Sequence, residues 1–199
     1  MITEAAISTN TDTTIVAASP TTNYRTSDLT LSSSSGGSRI VAQFVLPTTV
    51  NPDAIVSAEL VLFPKTIVGL NTTPTIQTSL LTGSLDYRYV TWNDYANASP
   101  WTTAGGDLIS GTETVTESIQ HSVSGRIRLN CLNSILYAYV NSKVYTINML
   151  VSTASANANI IYYSYETVGN GPYLIVRERQ PHTAERLGRS AGMPSIPSA

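Results

Sequence analysis

Five aromatic side chains crowd into a short, otherwise polar stretch in the middle of the sequence: Tyr87, Tyr89, Trp92, Tyr95 and Trp101. Aromatic faces stack on the apolar C–H face of a pyranose, so this cluster could form a carbohydrate platform. We take Trp92, Trp101 and Tyr95 as candidate carbohydrate-binding residues. The same side chains could instead fasten a long loop to the protein body, with both indole N–H groups bonded to backbone. The spacing leaves both interpretations open.

Five carboxylates could be ligands of a calcium ion, which binds about six to eight oxygen atoms. The candidates are Asp12, Asp86, Asp94, Asp107 and Glu166. They are scattered along the chain without EF-hand spacing, and turn or cap chemistry explains Asp94 and Asp107 equally well. We therefore predict no metal site and no cofactor.

Catalytic signatures are missing from the sequence. His121 lies in a Gln-His-Ser run and His182 near the end of the chain, and neither belongs to a known catalytic pattern. The sequence has no Gly-x-Ser-x-Gly elbow, no His-Glu-x-x-His and no glycine-rich phosphate loop before a helix. We predict a protein without enzymatic activity.

Many short runs of apolar and β-branched residues lie between turn residues, as in a β-sandwich or barrel. In residues 55–63, alternation places Val56, Ala58, Leu60 and Leu62 on one face, and Pro64 ends the strand. Further strands are predicted at residues 14–17, 29–31, 38–45, 75–81, 113–123, 144–152, 159–166 and 172–177.

One segment has the three- and four-residue spacing of a helix face. Its apolar positions are Leu132, Ile135, Leu136, Tyr139 and Val140. We predict a short helix between about Asn133 and Asn141, capped by Asn130 or Asn133 and packed over an open end of the sandwich. Leu136 is expected to be buried.

Composition limits the function classes. The chain has 199 residues, enough for one ordinary domain, and only 12% are charged, against about 25% in typical soluble domains. A net charge of −2 without a basic stripe argues against a nucleic-acid partner. The lone Cys131 excludes an internal disulfide and is expected to be a small buried residue.

No signal-peptide pattern or membrane-span run is present, so we expect synthesis in a cytoplasm and no membrane partner.

The last residues differ from the rest, and we predict a sandwich domain at residues 1–178 followed by an extended arm at residues 179–199. The arm is rich in proline and glycine and lacks apolar periodicity. Such a segment cannot order itself by burial. We predict that it binds other chains through Arg179, Arg186, Arg189, Met193 and Ile196.

Several short motifs occur together: Thr91-Trp92-Asn93, then Trp101 followed by Gly105-Gly106-Asp107, with Asp12-Thr13, Asn23-Tyr24 and the Ser57-Ala58-x-Leu60-x-Leu62 pattern elsewhere. Over about Asp12 to Val176 the chain resembles the DNRLRE domain, also called the disaggregatase-related repeat and akin to alginate-binding modules. The resemblance implies an all-β fold, an antiparallel β-sandwich of the jelly-roll type. Because that family has the tryptophan motif whatever its members bind, the resemblance favours a structural role for Trp92 and Trp101.

Two functions remain as predictions. The first is a non-catalytic structural virion protein, made in a host cytoplasm, which serves as a capsid decoration, head fibre or tail component. It would bind a particle surface and sibling chains through the arm. The alternative is an extracellular carbohydrate-binding module, secreted or on a cell surface.

Overall fold

The computed structural model describes residues 1–25, 27–33, 37–68, 75–81, 84–107, 109, 115–118, 125–141, 144–153 and 159–180. These ranges contain short strands and one helix, α1, with a 3₁₀ turn at Pro52–Ala54. In chain order the elements are β1 (Ile2–Ser8), β2 (Thr11–Val16), β3 (Leu29–Ser32), β4 (Ser38–Val45), β5 (Ile55–Leu62), β6 (Pro64–Val68), β7 (Thr75–Leu80), β8 (Asp94–Ala96), β9 (Ser99–Pro100), β10 (Val115–Ser118), β11 (Ile127–Asn130), α1 (Leu132–Asn141), β12 (Val144–Thr153), β13 (Asn159–Tyr162) and β14 (Tyr173–Arg179).

The strands form two main sheets in which every neighbouring pair is antiparallel. The smaller sheet has the order β1-β14-β5-β11, and the larger has the order β10-β7-β12-β4-β3-β13-β6 with β2 also paired to β4. A hairpin of β8 and β9 lies apart from both. The prediction of an all-β, antiparallel sandwich is confirmed, and the described residues contain the one short helix that was predicted.

The core lies between the two sheets. Leu60 of β5 pairs in register with Leu174 of β14 and Leu129 of β11, and all three are buried. The adjacent Glu59 is only partly buried on the opposite face, as the period-two pattern requires. Val56, predicted on the core face, is 38% exposed because it lies at the beginning of the strand.

Strand β4 is buried on both faces. Ile40 and Phe44 belong to the main core, whereas Val41 belongs to a second apolar cluster with Ile15. On that second face, Gln43 Oε1 accepts hydrogen bonds from Leu85 N at 2.7 Å and from Ser84 Oγ at 3.1 Å. Residues 84–107 therefore form a second layer over the outer face of the larger sheet.

Helix α1 begins one residue before its predicted start, and Asn130 is confirmed as a cap because its Oδ1 accepts Leu132 N at 3.2 Å. The predicted buried face was wrong in part. Leu136 is only partly buried and Val140 is 79% exposed. The buried residues are Ser134, Ile135, Ala138 and Tyr139. Small side chains at Ser134 and Ala138 allow close approach of the helix to the core.

The boundary between sandwich and arm also needs correction. Arg179 pairs with Ile2 as the last residue of β14, and Gln180 N donates to Met1 O at 2.9 Å, so the sandwich extends past residue 178. The other predicted arm contacts, Arg186, Arg189, Met193 and Ile196, lie outside the described residues. The prediction that Cys131 is buried is confirmed.

No helix among the described residues has the length and apolar character needed to cross a bilayer.

Candidate functional site

Trp101 is part of the second apolar cluster. It is 6% exposed, and its Nε1 donates to Thr91 O at 3.1 Å. Tyr95 packs beside it, with the ring centroids 5.4 Å apart. An indole in this position fills the space over Val41 and holds its own loop by a buried hydrogen bond.

Trp92 is partly buried in a stack that explains the Gly-Gly-Asp motif. The Arg39 guanidinium lies 4.8 Å from the Trp92 ring centroid, and Arg39 Nη1 donates to Gly105 O at 2.8 Å. Gly105 has a φ of +88°, and a Cβ at this position would lie 2.8 Å from the Trp92 ring. Only glycine fits this backbone conformation and this close approach.

Polar side chains fasten the rest of the loop. Asn23 Nδ2 donates to Tyr87 O at 2.9 Å and to Val90 O at 2.8 Å. The Asp107 carboxylate accepts the backbone N–H groups of Thr102 and Thr103. Partial burial alone would raise the pKa of Asp107, but these two N–H bonds outweigh it and hold the pKa below its usual value. Asp107 is therefore a turn residue.

The candidate carbohydrate residues are brought together, with Trp101 buried and Trp92 and Tyr95 partly buried. Trp101 has almost no exposed face, while Trp92 and Tyr95 are covered on one side by Arg39 and Trp101 respectively. A sugar platform needs an open ring face. The arrangement therefore favours the interpretation in which the two tryptophans fasten the loop.

A groove of about 490 Å³ crosses the outer face of the smaller sheet. Alternate residues of β1 and β14 point to this face because their neighbours point into the core. Among them, Ile175 forms an apolar floor with 4% exposure. The connection between β13 and β14 contributes Tyr165 to the lining, and the chain at β11 contributes Arg126 and Arg128.

A ladder of ion pairs runs across this face. Arg177 Nε donates to Glu4 Oε2 and its Nη1 to Glu59 Oε2, both at 2.9 Å, and Arg128 Nη1 donates to Glu59 Oε2 at 3.0 Å. Desolvation alone would raise the pKa of Glu59, but the two arginines outweigh it and lower the pKa. Glu59 stays ionised, and the guanidinium groups are held in defined positions.

The Tyr173 ring is part of the groove lining. Arg126 Nη1 donates to the Tyr173 hydroxyl at 3.2 Å, and its guanidinium lies 5.4 Å from the Phe63 ring centroid. The Phe63 and Tyr173 rings are 6.0 Å apart. The groove thus combines aromatic surface with charged donors and acceptors.

The groove lining at Tyr165 is held by a buried acid. Asp12 has no exposed surface, and its Oδ2 accepts Tyr165 N at 2.9 Å. Burial raises the pKa of Asp12 to about 8; the Tyr165 N–H opposes the shift and the nearby Glu166 charge adds to it. Asp12 is therefore neutral through most of the physiological pH range.

The five candidate calcium ligands do not converge. Asp86 pairs with Arg88, Asp107 holds its own turn, and Asp12 holds the groove lining at Tyr165. Across the described part of the chain, no group of three or more His, Cys, Asp or Glu side chains could hold a metal ion. His121 and His182 lie outside the described residues.

No protein-family model and no curated protein matches this chain. The resemblance to the DNRLRE domain therefore stays a prediction.

Proposed function

We propose that this chain is a non-catalytic binding domain that holds carbohydrate in the groove of its four-stranded sheet. The observation that carries the proposal is the combination of the Tyr173 ring with fixed arginine and glutamate side chains in one open groove. The Phe63 ring lies next to the Tyr173 ring, with the centroids 6.0 Å apart. A sugar presents apolar C–H faces and many hydroxyl groups, so its site needs ring surface together with a few well-placed donors and acceptors.

The ion-pair ladder supports this assignment. A flexible arginine loses conformational entropy when a ligand immobilises it, typically about 0.5–1.5 kcal/mol for such a side chain. Arg177 and Arg128 are already held by Glu59. Their remaining N–H groups can therefore bind sugar hydroxyl groups with a smaller loss of side-chain conformational entropy.

The same ladder supports a function without catalysis. Glycoside hydrolysis requires a carboxyl group with a raised pKa as the general acid, opposite a second carboxylate. Glu4 and Glu59 are both bonded to Arg177, and the pKa of Glu59 is lowered. These two carboxylates on the outer face of the sheet are suited to hydrogen bonding rather than to proton donation.

Two groove variants test the proposal. The wild-type chain is screened on an oligosaccharide array, and each ligand found is measured by calorimetry against Arg126→Ala and Arg128→Ala. We expect at least a tenfold loss of affinity at a nearly unchanged melting temperature. Arg128 is in an exposed ion pair, which contributes little to stability, and the hydrogen bond of Arg126 to Tyr173 is also exposed. Lys65→Ala removes an equal charge outside the groove and should bind normally. Wild-type affinity in both groove variants would refute the assignment.

A structural role in a virus particle, as a capsid decoration, head fibre or tail component, is the second candidate. It is favoured by the proline-rich arm with Arg186 and Arg189, which follows directly on β14. Arginine suits bidentate contacts with carboxylates of a neighbouring chain. A chain ending at Gln180 should keep its melting temperature but lose self-association in sedimentation. Equal sedimentation of both chains as monomers would contradict this role.

A further inference from the structure

A second cavity lies at the loop of residues 84–107, which contains Trp92 and Trp101. It measures about 280 Å³ and is lined by polar and aromatic side chains, including Asn23, Arg88, Tyr89, Asp94 and Asn97. None of its lining residues belongs to the groove on the smaller sheet. It is therefore a separate site, which the groove assignment does not explain.

The cavity presents an aromatic ring and a guanidinium in fixed positions. The Asp86 carboxylate accepts Arg88 Nε at 2.9 Å and Arg88 Nη2 at 2.8 Å, and the guanidinium lies 5.6 Å from the Tyr89 ring centroid. Asp86 uses two of the five guanidinium N–H groups, so three remain for a ligand. Tyr89 is 41% exposed. In contrast to Trp101, it keeps ring surface open to solvent.

The rim of the cavity is held in a costly conformation. Ala98 has a φ of +49°, which costs an L-residue with a Cβ about 1–2 kcal/mol. It lies in the turn of the β8–β9 hairpin, where Ala96 pairs with Ser99 and Ser99 Oγ donates to Asn97 O at 3.1 Å. Such strain is concentrated at binding sites, where the surrounding structure holds it.

We propose that this cavity is a second carbohydrate subsite, which takes one sugar unit against Tyr89 and binds its hydroxyl groups through Arg88 and Asp94. At about 280 Å³ it lies just below the common range for ligand pockets, about 300–1,000 Å³, and fits a monosaccharide rather than a chain. The choice of ligand class rests on the proposed function. With the groove, the subsite makes the domain bivalent, and bivalency raises affinity for polysaccharides without additional contacts.

The neighbouring tyrosines provide a matched pair for the test. Tyr87 is 38% exposed beside Arg25 but does not line the cavity. The probes are neutral hexoses, N-acetylhexosamines and hexuronates at millimolar concentration, and backbone amide shifts are followed by NMR. We expect one of these sugar classes to shift the amides of residues 86–98. Tyr89→Ala should weaken that binding at least tenfold, whereas Tyr87→Ala should bind normally.

The groove variant Arg128→Ala separates the two proposals, because it should leave the loop shifts intact. A chain that binds sugar only in the groove retains the proposed function and overturns the subsite. The subsite is also refuted if no monosaccharide shifts the loop amides, or if Tyr89→Ala binds like the wild type.

Discussion

Asp12→Asn should change the dependence of stability on pH. The pKa of Asp12 is raised to about 8 in the folded protein from an ordinary value of 3.8. Between these values the folded state holds a proton that the unfolded state has lost, so wild-type stability falls as pH rises from about 4 to about 8. Each pH unit costs about 1.4 kcal/mol, which gives about 3 kcal/mol between pH 5 and pH 7.

Urea unfolding and thermal melts at pH 5, 6, 7 and 8 measure this effect. For a domain of this size, about 3 kcal/mol corresponds to a melting-temperature difference of roughly 6–12 °C. The side-chain amide that the substitution introduces cannot ionise, while its oxygen can still accept Tyr165 N. We expect the variant to match the wild type near pH 5 and to exceed its stability near pH 8.

The difference between variant and wild type is the informative quantity. Glu59 and Asp107 have lowered pKa values, so their stabilisation is lost as pH falls, but equally in both proteins. Asp28→Asn, the same change at a partly exposed acid paired with Lys65, serves as the matched control. A wild-type-to-variant difference that stays constant from pH 5 to pH 8 would mean that Asp12 is ionised in the folded protein, contrary to our reasoning.

Three further changes test the packing. Trp101→Ala should lower the free energy of unfolding by about 3–5 kcal/mol in urea titrations, and an unchanged unfolding midpoint would contradict its buried role. Gly105→Ala should cost at least about 1 kcal/mol more than Gly169→Ala, because both backbones have nearly the same positive φ but only Gly105 faces the Trp92 ring. Ile135→Ala should cost about 2–5 kcal/mol and Val140→Ala less than about 0.5 kcal/mol in the same assay; equal costs would mean that the helix packs by its predicted face.

Local sequence patterns predicted strands that are rich in apolar and β-branched residues and lie between turn residues. Residues 38–45 include Ile40, Val41, Phe44 and Val45 between turns, and β4 has the same bounds. β1 was not predicted, because Glu4, Ala5 and Ala6 have weak strand propensity and are ordered by pairing with β14, which is distant in sequence. The helix face was displaced because apolarity alone gives no weight to Ser134 and Ala138, which are buried for their small size.

The candidate sites, too, could be predicted from the sequence only in part. Clustering of the aromatic residues around Trp92 and Trp101 was visible in the sequence, but the direction of each ring depends on where Arg39 and Gly105 lie in space. The groove was not predicted, since Glu4, Arg128 and Arg177 are far apart in sequence and share no spacing. Only strand register brings such residues onto one face.

The position of β14 between β1 and β5 has a consequence for synthesis. Both neighbours emerge from the ribosome long before the strand that joins them, so the smaller sheet cannot close until β14 has been translated. Until then, β1 and β5 expose unpaired edges, which are prone to pairing with other chains. This sheet should therefore fold only after β14 has been made, and slowly because its contacts are distant in sequence.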